Sequence, residues 1–148
     1  MNYTNDVEIG APADLVWEVF TDVERWPEWT PSVVEARPLD GPAIAVGARF
    51  AIKQPRQPVL VWRVTEVTPG AAWVWRSRSP GVEAIAVHEV VPAGPDRTIV
   101  RQRLEQRGAL AAMSNLAMRR RVRRYLALEA AGLRDRVEAL HRSGTATA

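Results

Sequence analysis

From Val33 to Gln106 the chain alternates apolar and polar residues in short runs, and the period of two predicts strands. The runs are Val33 to Arg37, Ala48 to Gln54, Val59 to Val67, Ala72 to Ser79, Glu83 to Val91 and Thr98 to Gln106. Asp40-Gly41-Pro42, Gln54-Pro55 with Pro58, Thr68-Pro69-Gly70, Ser79-Pro80-Gly81 and Pro92 to Asp96 separate them as turns, so a meander is expected. Upstream, Val7 and Ile9 predict a short first strand, and Leu15, Val16, Val19 and Phe20 mark one face of a helix over Pro12 to Thr21. A second short helix is expected over Val23 to Trp26, ended by Pro27 and Pro31. After Gly108 the period changes. Ala109 to Leu140 holds no proline and one glycine, Gly132, and predicts one long helix. At about 100° per residue, Met118, Val122, Tyr125, Leu126, Leu133, Val137 and Leu140 form its dry stripe. Arg119, Arg120, Arg121, Arg123 and Arg124 surround Val122 on the remaining faces.

The alternation also assigns faces. Phe50, Ile52, Trp62, Trp73, Trp75, Val100 and Leu104 fall on one side of the expected sheet, as do Leu60 and Val64, while arginine and glutamate fall on the other. Two polar residues, His88 and Gln102, share the apolar side, and Glu129 interrupts the stripe of the last helix. Apolar walls with a few orienting polar groups are what a small-molecule site requires. Phe50, Ile52, Trp62, Trp73, Trp75, His88, Gln102, Leu104, Tyr125, Leu126 and Glu129 are therefore the expected ligand-binding residues. Each has a plainer reading as core, and Glu129 as the partner of an edge arginine. Trp26 and Trp29 are expected to pack the short helices onto the sheet.

A chain of 148 residues, 47% hydrophobic and 25% charged, is the size of one core-forming domain, here expected over 1–142 with a disordered tail at 143–148. Cysteine is absent, which excludes disulfides and thiolate chemistry. Two separated histidines without clustered carboxylates make no metal site, and the chain has no glycine-rich phosphate loop, so no cofactor is expected. The opening Met1 to Asp6 is polar, no apolar run is long enough to span a bilayer, and a cytoplasmic location is expected. The net charge is +3, and Lys53 is the lone lysine among 20 basic residues.

Ala11-Pro12-Ala13-Asp14-Leu15-Val16-Trp17, Asp22 to Trp29, Trp62 to Gly70 and the closing Gly132-Leu133-Arg134-Asp135-Arg136-Val137-Glu138 resemble the START-like, or SRPBCC, superfamily, in particular its polyketide cyclase/dehydratase-like branch. The resemblance covers nearly the whole chain. It implies an α+β helix-grip fold: a seven-stranded antiparallel curved sheet around a long C-terminal helix, with two short helices between strands 1 and 2 and a deep cavity between sheet and helix. It also implies a hydrophobic ligand, lipid-like or polyketide-like, and in some members ring closure or dehydration. The family has no universal catalytic motif, so the resemblance carries over a pocket and no active site.

Three functions follow. The first is binding of a small hydrophobic, aromatic ligand. The second is cyclase or dehydratase catalysis, with His88 as acid or base, Glu129 orienting it and Gln102 bonding a carbonyl. The third is contact through the arginine cluster with the phosphates of nucleic acid or anionic lipid. The cluster lacks interleaved aromatic residues, so it is read as a solvated helix face and no nucleic acid is expected. An exposed edge strand offers a route to a homodimer.

Overall fold

The computed structural model describes residues 1–146. Seven strands form one antiparallel sheet in the order β1-β7-β6-β5-β4-β3-β2. They are β1 (Asn2–Ile9), β2 (Glu35–Pro38), β3 (Arg49–Lys53), β4 (Leu60–Thr68), β5 (Ala72–Ser79), β6 (Val82–Gly94) and β7 (Arg97–Arg107). Helix α1 (Ala13–Thr21) and a 3-10 helix (Val23–Glu28) connect β1 to β2. Helices α2 (Ala109–Ala112) and α3 (Leu116–Ala146) follow β7. This is the helix-grip arrangement.

The meander runs from β2 to β7, and the chain's first strand then pairs with its last, Val7 opposite Val100. That pairing makes β1 longer than the two apolar residues predict: Tyr3 and Ile9 are buried at its ends, on the same face as Val7. β4 departs from strict alternation. A bulge between Val64 and Glu66 shifts the register, so that Val67, expected to face outward from Val64's side, lies opposite Trp73 and packs on the core. On the outer face the arginines are paired: Arg101 with Asp6 at 3.3 Å, Arg103 with Glu89 at 2.6 Å, and Arg107 with Glu105 at 2.7 Å.

The single helix expected over Ala109 to Leu140 is two helices joined by an elbow at Met113, Ser114 and Asn115. The reason is capping. The Asn115 side chain accepts the Met118 N–H at 2.9 Å and so starts α3 afresh, while the Leu110 N–H turns back to the Gly81 carbonyl at 3.0 Å. At the other end α3 continues beyond Leu140 to Ala146, so the tail expected from Ser143 is helical for four residues; 147 and 148 lie outside the described residues. Met118 and Leu140, placed on the dry stripe, are exposed at 48% and 42%.

α3 is clamped in its C-terminal half. Leu133 and Val137 are fully buried, the Glu138 carboxylate accepts the Gly10 N–H at 2.8 Å, and Arg136 pairs with Glu28 at 2.9 Å. Gly132 presses against the backbone carbonyl of Trp29 so closely that any β-carbon there would overlap it. Its close neighbours are β1 and α1, and toward its N-terminal half the helix stands off the middle strands. No described helix is long and apolar enough to cross a membrane.

Candidate functional site

The space under the N-terminal half of α3 is a cavity of about 140 Å³. Its floor is the concave face of β3 to β7, contributing Ile52, Trp62, Trp75, His88, Gln102 and Leu104; its roof is Val122, Tyr125, Leu126 and Glu129. Nine of the eleven expected ligand-binding residues therefore meet at one hollow. Phe50 and Trp73 do not line it. Both are fully buried in the solid part of the core, Trp73 under Phe20 at 4.7 Å and Trp17 at 5.9 Å, and Phe50 against Trp75 at 5.8 Å. Period-two alternation places them on the correct face, but α1 covers Trp73's part of that face and leaves no room.

Trp26 is one of the wall residues missing from the expectation. It packs on Phe20 at 5.9 Å and donates its indole N–H to the Phe20 carbonyl at 2.9 Å, as a helix-packing residue should, yet its ring also borders the cavity beside Trp75. A loop roofs the other side. Tyr125 donates its hydroxyl to the Pro55 carbonyl at 2.5 Å, and Lys53 ties to the Gln57 carbonyl, fixing the 54–58 turn at the rim. Gln54 and Gln57 thereby become lining residues. Turn residues carry no facing period, so no sequence signal marks them.

Four polar side chains of the lining are buried: Ser77, His88, Gln102 and Glu129. Gln102 Nε2 donates to Glu129 Oε1 at 2.6 Å, bridging β7 and α3. Glu129 thus bonds Gln102 rather than His88 or an edge arginine. Burial outweighs that hydrogen bond and pushes the Glu129 carboxyl up to about 7. His88 sits opposite Gln102 in the β6–β7 ladder and lies flat on Trp73, ring centroids 4.1 Å apart. Burial pushes His88 down to about 3, so its imidazole is neutral at ordinary pH. Gln102 Oε1 and His88 Nδ1 are buried without a hydrogen-bond partner. Such groups are costly unless something supplies the missing bond.

A second hollow of about 100 Å³ adjoins the first and shares Gln57, Val82, Gln106 and Val122 with it. Leu110 of α2, Ser114 of the elbow and Met118 of α3 also line it.

The comparisons with known proteins agree with this architecture. The structure is similar to that of a START superfamily protein from Mycobacterium smegmatis, with a TM-score of 0.75 at 20% identity over 94% of this chain and 98% of that one. It is similar to the di-domain ARO/CYC BexL of the BE-7585A biosynthetic pathway, with a TM-score of 0.73 at 24% identity, covering 93% of this chain and 46% of that longer one. It is also similar to norcoclaurine synthase from Thalictrum, a point mutant bound to a transition-state analogue, with a TM-score of 0.69 at 15% identity over 93% of both chains. These likenesses establish the fold. No curated protein matches the chain in sequence. The model of the family described as polyketide cyclase / dehydrase and lipid transport matches residues 2–138, and with the helix-grip fold around an apolar cavity this chain belongs to that family.

Proposed function

We propose that the protein binds a small aromatic ligand in the cavity under α3, with the ligand's polar end against Gln102, Glu129 and His88. The observation that carries this reading is two unpartnered buried atoms, Gln102 Oε1 and His88 Nδ1, on residues that border a largely apolar hollow. A ligand hydroxyl would supply the bond that Gln102 Oε1 lacks. Size narrows the class. A cavity of about 140 Å³ is close to the ~150 Å³ that holds one benzene ring in a protein core. One or two fused rings fit, the second reaching into the adjoining hollow; a longer polyketide-like molecule requires the 54–58 turn to lift.

A catalytic reading has its own support. Glu129 borders the cavity with its carboxyl held at about 7, where a general acid or base works best at neutral pH. In a cyclase or dehydratase step Glu129, not the neutral His88, is the group suited to move the proton, with His88 and Gln102 as hydrogen-bonding walls. BexL, the di-domain ARO/CYC among the structural neighbours, makes that chemistry the alternative to test.

The test is tryptophan fluorescence during titration with a hydroxylated bicyclic probe such as 2-naphthol, and with naphthalene as its counterpart lacking the hydroxyl. Saturable quenching is expected for both, with 2-naphthol tighter by about tenfold, the worth of one buried hydrogen bond. Equal affinities, or no saturation by either, would sink the proposal.

A further inference from the structure

Five large apolar side chains are exposed at one end of the molecule: Met1, Leu110, Met113, Leu116 and Met118. They include all three methionines of the chain. Met113 is 76% exposed and Leu116 57%, which is unusual for side chains of that size on a folded surface. They are drawn together by the elbow: Ser114 donates to the Met1 sulfur at 3.3 Å, and Leu116 and Met118 form the first turn of α3. Directly behind this apolar tip come Arg119, Arg120, Arg121, Arg123 and Arg124. At about 100° per residue they encircle the helix on every side except that of Val122 and Tyr125.

The charge state of that collar sets it apart. Seven of the nine arginines in the strands, at 49, 76, 78, 97, 101, 103 and 107, each have a carboxylate partner, Arg37 and Arg63 being the two without an ion pair among the described residues. Among the described residues no carboxylate pairs with any of the five in the collar; Arg123 lies over the Tyr3 ring at 5.9 Å instead. A run of five arginines without an acidic neighbour in sequence therefore abuts an exposed apolar tip. Each contributes to the wall of the second hollow, the tip through Leu110 and Met118 and the collar through Arg121, and that hollow adjoins the ligand cavity.

The geometry points to the elbow as a docking wedge for an anionic lipid surface. The apolar tip enters the boundary between headgroups and acyl chains, and the arginine collar, whose long apolar stems can extend along the helix, meets the phosphates. A second copy of this chain is a poor occupant, because a symmetric contact would set one arginine collar against another. Duplex nucleic acid would use the arginines but would leave Met113 and Leu116 in water. The inference does not depend on what fills the cavity, and it is tested on the protein without ligand.

Co-sedimentation is measured with vesicles of phosphatidylcholine alone and with roughly one third phosphatidylglycerol. Binding is expected to the anionic vesicles only, and to fall at least about tenfold between about 0.05 M and 0.5 M NaCl as screening shortens the reach of the collar. Arg120→Glu with Arg124→Glu, and separately Met113→Ser with Leu116→Ser, should each weaken it by about tenfold or more. All four side chains are exposed, Met113 on the elbow and the others on the first turns of α3, and an unchanged circular-dichroism melt confirms the fold. Equal binding to both vesicle types, or serine variants that bind as the parent does, would overturn the inference. So would a short DNA duplex bound more tightly than the anionic vesicles and indifferent to the serine changes, or a Met113-dependent dimer that ignores vesicles. Since 2-naphthol binding is read separately, failure of one proposal leaves the other standing.

Discussion

Gln102 on β7 donates through Nε2 to Glu129 on α3 across 2.6 Å, and that bond joins sheet to helix inside the protein. It also restrains the titration of Glu129, since among the contributions it is the one opposing burial. Gln102→Leu removes the donor and leaves the carboxyl in the same dry place. The Glu129 carboxyl should then titrate above about 7. The destabilisation should be small at pH 5, where the carboxyl is neutral, and about 1–3 kcal/mol at pH 8, where a charged group loses its partner. Urea denaturation at the two pH values measures the difference; equal losses at both would mean that the bond does not govern the carboxylate.

The whole protein's pH response should carry the opposed marks of His88 and Glu129. His88 is held at about 3 against an ordinary 6.5, so between those values the unfolded chain binds the extra proton and stability rises with pH. Glu129 is held at about 7 against an ordinary 4.5, so between those values the folded chain binds the extra proton and stability falls with pH. From about 4.5 to 6.5 the two slopes cancel. Stability from this pair should be flat there, falling on the acid side toward 3 and on the alkaline side up to about 7, each limb with a slope of about 1.4 kcal/mol per pH unit. Glu129→Gln should abolish the alkaline limb and carry the acid limb on up to about 6.5 in place of the flat stretch, as read from denaturation midpoints across pH.

Gly132 and the Trp29 carbonyl fix how near α3 comes to the 3-10 helix. Gly132→Ala would gain about 1 kcal/mol in helix propensity. It would lose about 3 kcal/mol by forcing a β-carbon into the carbonyl. The loss wins, so a net destabilisation of about 2 kcal/mol is expected in chemical denaturation. A neutral or stabilising result would mean that the clamp is soft and the cavity volume adjustable.

Much of this architecture was legible in the chain. Alternation in β3 to β7 placed Trp62, Trp75, Gln102 and Leu104 on the concave face, and the helical stripe placed Tyr125, Leu126 and Glu129 opposite them. A facing period says nothing about position across the sheet, however. Phe50 and Trp73 share that face with Trp62, yet one part is filled by α1 and the rest is left open by α3. Alternation also assumes an unbroken strand, and the bulge near Thr65 turned Val67 inward against it. The elbow did leave a mark: Ser114-Asn115 is a helix-start signal inside an otherwise helical run, and Asn115 caps α3 as that signal says.

Trp62 and Trp73 separate wall from core most directly. Trp73 is fully buried among Phe20, Trp17 and His88, so Trp73→Ala should cost about 3–5 kcal/mol and leave a void where the sheet meets α1. Trp62 borders the cavity, is half-buried, and touches Trp75 at 5.7 Å. Its loss removes less packed surface, and Trp62→Ala should cost about 1–2 kcal/mol. It also enlarges the ligand space. The variant should therefore accept a three-ring probe such as a hydroxyanthracene more tightly than the parent does, while 2-naphthol weakens. Thermal melts and fluorescence titrations on the two variants give four numbers. If Trp62→Ala were as damaging to stability as Trp73→Ala, or left the preference among ring sizes unchanged, Trp62 would be core and the cavity would have a different wall.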